Sequence, residues 1–460
     1  MNISLLISEM KNKSAPLSLS TEPVGKLLIQ NAVPAIIAMT AASLYNITDS
    51  IFIGHGVGPL ALSGLAITFP LMNLSTAFGT LIGIGSSTLL SVRLGQKDYD
   101  TANRILGNVI TLNIILGLIY SIIILLFLDP VLCFFGASQE ILPYARDFMV
   151  IILFGNIITH LYFGLNAMLR SSGNPRKAMY ATIYTVVINI ILNPLFIFKF
   201  GWGIRGSALA TVISQTLVLI WQIHFFSDNN NFLHLKKGIY SLKKKIVKDA
   251  LSIGLAPFLM NTAACVIVIL INQGLINQGG DLAVGAYGIV NRVSFLFVMI
   301  VMGLNQGMQP IAGYNYGALL NGRVVKVLKL TIIWATIIMT LGFVVVELFP
   351  HAVASVFTTD EALTDFSVTG LRLVFIFYPL VGFQMVTSTL FQSIGKPKQA
   401  IFMSLTRQVI FLIPLLLILP EYWGINGVWL SMPISDFISV NLAVILLIRQ
   451  LRQFKGEQVL

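Results

Sequence analysis

The sequence predicts an all-α polytopic membrane protein with twelve transmembrane helices in two six-helix lobes that are related as parallel repeats. The first observation is composition: of 460 residues, 56% are hydrophobic and 10% are charged, whereas soluble domains contain about 25% charged residues. The second is a series of long apolar stretches, and the third is an internal repeat. Together they make lipid the main solvent of this chain.

Twelve stretches of the chain are each long and apolar enough to cross a bilayer, which takes about 20 residues. A helix start at Thr21-Glu22-Pro23, with a capping hydroxyl followed by an early proline, precedes the first stretch. Spans 1 to 6 are predicted at residues 31–53, 60–91, 105–128, 147–169, 178–200 and 203–226. Spans 7 to 12 are predicted at residues 250–277, 282–311, 324–348, 370–391, 399–420 and 425–448.

These spans divide the chain into five parts. They are an N-terminal segment (1–30), an N-lobe (31–227), a basic linker (228–249), a C-lobe (250–448) and a C-terminal tail (449–460). Residues 1–25 lack an apolar core that ends in a small-residue cleavage site, so we expect no removable signal peptide. The first span is expected to act as the insertion signal.

The basic residues fix the predicted orientation. Of the 29 lysines and arginines, 23 fall in the termini and in the loops on the same side. The outer loops hold three, Arg146, Lys199 and Arg205. This bias is the positive-inside pattern, and it predicts an inner (cytoplasmic) membrane protein with both termini in the cytoplasm. The net charge of +11 therefore reflects topology, and no nucleic-acid partner is expected.

The two halves of the sequence are copies. Residues 169–178 (LRSSGNPRKA) reappear as 391–400 (FQSIGKPKQA) after a shift of 222 positions, and 202–206 (WGIRG) reappears as 423–427 (WGING) after 221. Six spans is an even number, so both copies enter the membrane in the same direction. Parallel repeats of this kind are used by alternating-access transporters, although a channel or a scaffold could also be duplicated.

Asp49 is the carboxylate of span 1. A charge in hydrocarbon costs roughly 2.5 to 3.5 kcal/mol, so such residues are rare and face a partner or a water-filled cavity. We interpret Asp49 as an ion-coupling residue. The alternative is that Asp49, about five residues from the outer end, snorkels to water or caps a neighbouring helix.

Two opposite charges are predicted to meet in the C-lobe. Arg407 in span 11 and Asp436 in span 12 both lie near the midplane, where neither charge is tolerable alone. We expect an ion pair with a structural or gating role, with direct substrate contact as the alternative. Asn272 occupies the position of Asp49 in span 7, so the predicted ion site is asymmetric.

No enzyme and no cofactor are expected. Cys133 and Cys265 have no CxxC spacing and lie in unrelated apolar settings, which indicates neither a metal site nor a disulfide framework. The histidines are scattered, and charge rings of the kind that line passive channels are not visible in the sequence.

Several motifs resemble one family of transporters. They are the run that begins at Asp49 (DSIFIGH), the paired Gly-x-Pro loops, the run from Asn189 (NIILNP) and residues 303–317 (GLNQGMQPIAGYNYG). Over roughly residues 25–450 the chain is similar to the multidrug and toxic compound extrusion (MATE) family, MepA-like branch. The resemblance implies twelve helices in two lobes and export of amphipathic, often cationic compounds in exchange for protons or sodium ions.

The resemblance also implies an N-lobe site. Members often carry a carboxylate in span 1, an asparagine and an aspartate four apart in span 5, and a threonine in span 6. Those positions match Asp49, Asn189, Asn193 and Thr211. Asn193 is a departure, because that place is more often an aspartate, and it weakens a two-carboxylate proton relay.

The chemistry of these residues leaves the coupling ion open. Asn189 and Asn193 share a helix face, and Asp49, Asn193 and Thr211 lie within about eight residues of the outer ends, or roughly 12 Å. Four oxygen-bearing side chains could ligate Na+, and burial makes protonation of the carboxyl plausible. For the other three side chains the alternative is interhelical hydrogen bonding.

Substrate-binding residues stay unassigned. Aromatic and methionine side chains suit flat lipophilic cations, and the candidates are Tyr45, Phe163, Met260, Phe295, Met302 and Phe383. The expected partners are small amphipathic molecules and the bilayer, with a monomeric chain. The rival function is a flippase or exporter of a lipid-linked or polysaccharide precursor, which would favour a more cationic cavity.

Overall fold

The computed structural model describes residues 18–456, apart from the side chain of Asn46. The first 17 residues of the predicted N-terminal segment and the last four of the predicted tail lie outside the described residues. Within residues 18–456 every regular element is a helix, which confirms the predicted all-α class.

The helices alternate with short connections. In the first half they are α1 Ser18–Thr21, α2 Val24–Gly56, α3 Pro59–Gly95, α4 Tyr99–Leu126, α5 Leu128–Phe134, α6 Leu142–Ser171, α7 Pro175–Pro194 and α8 Gly203–Ser227. In the second half they are α9 Lys244–Gly317, α10 Asn321–Leu348, α11 Pro350–Ser355, α12 Glu361–Phe375, α13 Tyr378–Ser393, α14 Pro397–Leu405 and α15 Ile413–Gly456. A π-helical turn follows α7 at Leu195–Lys199, and another joins α14 to α15 at Thr406–Leu412.

Two of the helical segments are too long to be single crossings. Among the described residues nine segments are long and apolar enough to cross a membrane, and the longest have 74 and 60 residues. At 1.5 Å per residue the shorter of these two would span roughly 90 Å, against a hydrocarbon core of about 30 Å. Each is interrupted by one non-helical glycine, Gly280 (φ 67°) in α9 and Gly424 (φ 55°) in α15. Division at these glycines, with α12 and α13 as one bent span, gives the twelve predicted crossings.

Span 10 differs from its prediction. Instead of one helix over residues 370–391, α12 begins at Glu361, where the Asp360 side chain caps it by accepting from the Leu363 N–H at 2.8 Å. The span then bends by 52° between α12 and α13. Pro379 lies in the first turn of α13 and has no N–H to continue the hydrogen bonds of α12, which explains the break.

The exposed surface of α4 is apolar with helical spacing. Ile115, Leu118, Ile122 and Leu126 are between 37% and 72% exposed, and they recur every three or four residues, so they form one stripe. The polar Asn113 of the same helix is fully buried. Apolar outside and polar inside is the arrangement expected of a helix that faces lipid.

By internal contacts the chain divides into two compact units. Of the described residues, the first unit contains 18–21 and 37–258, and the second contains 22–36 and 259–456. The predicted lobe boundaries therefore differ from these units, because residues 22–36 join the second unit and residues 228–258 join the first. Gly307 illustrates the reason: a Cβ atom there would lie 2.5 Å from Ala32 Cα, so only glycine lets α9 approach the start of α2 this closely.

Each unit has its own central helix. In the first unit α6 packs against α3, α4 and α8. The Ser75 hydroxyl on α3 donates to Asn156 Oδ1 on α6 at 2.5 Å and fixes that contact. In the second unit α13 packs against α10 and α15.

Candidate functional site

Three helices of the first unit each contribute two polar side chains that lie four residues apart. Residues four apart lie on the same face of a helix, so each pair points in one direction. The pairs are Tyr45 and Asp49 on α2, Asn189 and Asn193 on α7, and Ser207 and Thr211 on α8. Side-chain hydrogen bonds link Asp49 to Asn193 and Ser207, and link Thr211 to Tyr45 and Asn189. The Thr211 hydroxyl joins the two groups into one cluster by donating to the Ser207 backbone carbonyl.

Asp49 accepts two hydrogen bonds from neutral donors. Its carboxylate is 7% exposed. Asn193 Nδ2 donates to Asp49 Oδ1, and Ser207 Oγ donates to the same oxygen at 2.8 Å. The side chain therefore faces α7 and α8 within the first unit, whereas snorkelling to water would leave it exposed.

Thr211 occupies the other end of the cluster. Its hydroxyl oxygen accepts from Asn189 Nδ2 at 3.3 Å and lies 2.8 Å from the Tyr45 hydroxyl. The Thr211 hydroxyl also donates to the Ser207 carbonyl at 3.2 Å. A hydroxyl has one proton, so the Tyr45 hydroxyl is the donor toward Thr211.

The cluster has an excess of acceptors and no cation. Among the described residues no basic side chain lies within 4 Å of Asp49. Asn193 is fully buried, and its Oδ1 atom has no hydrogen-bond partner. A buried carboxylate with an unpartnered amide oxygen beside it lacks a positive counterpart. Such a donor set suits a proton or a small hard cation with oxygen ligands.

The backbone changes its winding directly after Asn193. Pro194 has no N–H and so leaves the Ile190 carbonyl without its usual helical donor. The next turn, Leu195–Lys199, is wound as a π-helix, with the Phe200 N–H bonded to the Leu195 carbonyl at 3.1 Å. Single π-helical turns are frequent at functional sites, and this one ends the helix that carries Asn189 and Asn193.

Four members of the cluster were predicted and two were not. The structure brings together Asp49, Asn189, Asn193 and Thr211, while their role in ion coupling stays a prediction. Ser207 was missed, and Tyr45 was expected only among substrate candidates. Both follow a recognisable signal, because each lies four residues before a predicted member on the same helix.

The second unit contains a different buried carboxylate. Arg407 Nε donates to Asp436 Oδ1 at 2.5 Å, and the side chains are 31% and 9% exposed. Arg407 lies in the π-helical turn before α15, and Ser435 Oγ donates to its carbonyl at 2.5 Å. The two predicted charges thus form an ion pair, and its function stays a prediction.

The six substrate candidates lie in different surroundings. Tyr45 is itself a member of the cluster, through its hydrogen bond with Thr211. Phe163 packs against Tyr162 with ring centroids 5.3 Å apart, and Phe295 is 51% exposed. The remaining three, Met260, Met302 and Phe383, are partly buried.

Comparison with known proteins gives a consistent result. The MatE family model matches the chain twice, over residues 34–195 and 255–418. The chain is 28% identical over 430 residues to the multidrug export protein MepA of Staphylococcus aureus, covering 94% of each chain, and 28% identical over 419 residues to its namesake in Staphylococcus haemolyticus.

Solved structures with the same fold are transporters. The chain superposes with a TM-score of 0.90 on a multidrug resistance MATE family transporter in an outward-facing conformation, with 24% identity and coverage of 96% of this chain and 99% of that one. It superposes equally well, with the same identity and coverage, on a MOP superfamily transporter from Pyrococcus furiosus. The two family matches and these folds confirm the predicted pair of repeats.

Proposed function

The chain belongs to the MatE family, the multidrug and toxic compound extrusion transporters, and from this premise we propose that it is an antiporter driven by a cation that binds at Asp49. It exports amphipathic, often cationic compounds in exchange for H+ or Na+. The relatives named multidrug export proteins support the substrate class. The protein works as a monomer in the inner membrane, with both termini in the cytoplasm.

The observation that carries the proposal is the unpaired state of Asp49. A buried carboxylate without a cation is unfavourable, so the site is stable when a proton or Na+ neutralises it. Release of that cation leaves a charge that favours a conformation in which water or another cation reaches it. A site whose occupancy changes the relative stability of two conformations is what an antiporter requires.

The helix that carries Asp49 gives a covalent route for coupling. In α2, residues 24–36 belong to the second unit and residues 37–56 to the first. Asp49 lies in the part that belongs to the first unit, with the cluster that holds it. A change in the hydrogen bonds of Asp49 therefore acts on a helix whose beginning packs in the other unit.

The two candidate cations differ in the number of oxygen atoms that must bind them. A proton needs one carboxylate oxygen, whereas Na+ needs several ligands. The oxygens that can supply them are Asp49, the free amide oxygen of Asn193 and the hydroxyls of Ser207 and Thr211. Asn193 in place of a second carboxylate limits the site to one formal negative charge, and so to the binding of a single monovalent cation.

Purified protein in liposomes tests the proposal. Vesicles that hold an ethidium-like dye receive an imposed proton gradient or an imposed sodium gradient, one at a time. We expect one of the two gradients to drive dye movement in the wild type, and Asp49→Asn to abolish this dependence. The matched control is Asp147→Asn, the same change at a carboxylate that pairs with Arg205 in an exposed salt bridge, which should transport normally.

Two results would contradict the proposal. The first is dye movement in the wild type that needs no gradient, and the second is full coupling in Asp49→Asn. A labelled lipid-linked precursor in the same vesicles separates export from flipping. Gradient-dependent movement of that lipid, without dye transport, would favour the flippase.

A further inference from the structure

The segment that joins the two halves of the chain is folded onto the first unit. The Thr111 hydroxyl donates to the Tyr240 carbonyl at 2.9 Å. Asn108 forms two hydrogen bonds with the backbone of the same stretch. Its Nδ2 donates to the Ser241 carbonyl at 3.2 Å, and its Oδ1 accepts from the Lys243 N–H at 3.0 Å. Both side chains belong to α4, so the linker is tied to the end of a membrane-crossing helix.

Apolar packing reinforces these hydrogen bonds. Leu233 and Ile239 of the linker are 2% and 6% exposed. Ile239 lies against Gly107, where a Cβ atom would be 2.4 Å from the Ile239 carbonyl oxygen. A larger residue at position 107 would push the linker off α4, so the folded form depends on this glycine.

The folded linker presents unpaired positive charges. Residues 236–248 contain six lysines and no acidic residue, and the lysines are all exposed: Lys236, Lys237, Lys243, Lys244, Lys245 and Lys248. Among the described residues none of them lies within 4 Å of a carboxylate, whereas Arg104 on α4 pairs with Asp100 at 3.0 Å. Within the described part of the chain no ion pair therefore neutralises these lysines, although Asp228 and Asp249 flank the segment in sequence.

Two apolar side chains are exposed between the lysines. Tyr240 and Leu242 are each 42% exposed, although the backbone carbonyls beside them are bonded to α4. The linker joins α8 to α9, two helices that cross the membrane, and so it lies at the membrane surface. Basic residues with an aromatic and an aliphatic neighbour suit the headgroup layer of a bilayer.

We propose that the linker surface, residues 236–248, binds the phosphate headgroups of anionic phospholipids. The lysine ammonium groups contact the phosphates, and Tyr240 and Leu242 contact the adjoining acyl region. The hydrogen bonds from Asn108 and Thr111 hold the lysines in place, which lowers the entropic cost of binding. Bound lipid thereby stabilises the start of α9 against the first unit.

Lipid binding to the purified full-length protein tests this proposal. Affinities for phosphatidylglycerol and phosphatidylcholine are measured in detergent at a fixed ionic strength. The test variant changes Lys236, Lys237, Lys244 and Lys245 to Gln. The matched control removes the same number of exposed lysines from the second unit and changes Lys326, Lys329, Lys398 and Lys455 to Gln.

We expect phosphatidylglycerol to bind about tenfold more weakly to the test variant, since each lysine near an anionic surface contributes favourably. The control variant should lose less than about twofold, because its lysines lie outside the proposed lipid-binding surface and act only through charge interactions that salt screens. Phosphatidylcholine should bind all three proteins equally. An equal loss in the test and control variants would overturn the proposal, as would equal affinity of the wild type for both lipids.

Two further measurements keep the proposal testable if the fourfold variant fails to fold. The double change of Lys236 and Lys237 to Gln lies outside α9 and should weaken phosphatidylglycerol binding a few-fold. Gly107→Ala keeps every lysine but displaces the linker, and it should also weaken binding; unchanged binding would show that charge alone acts. Inorganic phosphate should not compete, and full competition would overturn the assignment to lipid.

Discussion

Among the described residues each unit contains one buried carboxylate in a membrane-crossing helix. One of the two is paired with a cation, and the other is not. Asp49 and Asp436 are both 7% exposed. Asp436 is paired with Arg407, whereas Asp49 accepts hydrogen bonds from the neutral side chains of Asn193 and Ser207. A paired carboxylate has its counter-charge built in, while an unpaired one must receive it from solution. This difference is why we propose Asp49, and not Asp436, as the group that binds the coupling cation.

The repeat makes this difference sharper. At the shifts of 222 and 221 positions, four residues of the cluster around Asp49 correspond to apolar residues: Asn189, Asn193, Ser207 and Thr211 correspond to Phe411, Leu415, Val428 and Met432. In the reverse direction Arg407 and Asp436 correspond to the uncharged Thr185 and Gln215. Each copy thus lacks the polar groups of the other. The same arrangement of helices holds a carboxylate with neutral partners in one copy and an ion pair in the other.

The largest effect is expected from breaking the pair in the second unit. Asp436→Asn leaves Arg407 without its partner, and the loss of one member of a buried pair typically costs 3 to 5 kcal/mol. Because the Arg407 side chain is 31% exposed, we expect a loss near the lower limit, roughly 3 kcal/mol in the free energy of unfolding. Thermal or denaturant unfolding in detergent measures it, and adding Arg407→Gln should restore stability. Normal stability in both single variants, with a loss only of substrate binding, would assign the pair to the substrate site.

A slightly smaller effect is expected from copying the carboxylate into the other unit. Asn272→Asp places a charge where the neighbouring positions of the repeat are apolar, and it should destabilise the protein by roughly 2.5 kcal/mol. In an Asp49→Asn background it should not restore gradient-driven dye transport in liposomes. Restored transport would mean that the two units are interchangeable and that the asymmetry has no function.

Of the three hydroxyl groups in the cluster, that of Ser207 should have the largest effect on cation binding, because it bonds Asp49 directly. Ser207→Ala removes a hydrogen bond to a carboxylate, which is worth about 1.5 kcal/mol or more, or roughly a tenfold change in the half-saturating concentration of the coupling cation. The direction identifies the ion. Loss of a ligand weakens Na+ binding, whereas loss of a donor to the anion strengthens proton binding. No change in a titration of transport rate against either ion would remove Ser207 from the site.

The smallest effect on cation binding is expected at Thr211, which belongs to the cluster but does not bond Asp49 directly. Thr211→Val keeps the shape of the side chain but removes the hydroxyl that bonds Tyr45 and Asn189. A neutral hydrogen bond contributes about 1 kcal/mol, so the same titration should shift by only a few-fold. A larger shift than that of Ser207→Ala would place Thr211, instead of Ser207, against the cation.

Much of the fold could be predicted because hydropathy and internal repetition can be found in the sequence without knowing which helices pack together. The twelve spans, the parallel copies and the carboxylate in span 1 all belong to this class. The bend before Pro379 is of the same kind, since proline is visible in the sequence, although its 52° angle is not. The exchange of residues 22–36 between units was not predictable, because it depends on which helices pack together.

The cluster around Asp49 was predictable only in part for a similar reason. Asp49 stands out as a charge, and Asn189, Asn193 and Thr211 were reached through the family resemblance. Ser207 is one of many serines in an apolar chain, and only packing of α8 against α2 brings its hydroxyl to the carboxylate. Helical periodicity shows which residues lie on the same face of a helix. It does not show which faces of two helices pack together.

The most direct test of the unpaired carboxylate is cation binding by the purified protein without any gradient. Proton release on addition of a cationic dye is followed with a pH indicator, and sodium binding is followed with radioactive Na+. We expect the wild type to exchange a proton or bind Na+, Asp49→Asn to do neither, and the double variant Arg407→Gln with Asp436→Asn to match the wild type. Undiminished cation binding in Asp49→Asn would contradict the assignment of the coupling site to this residue.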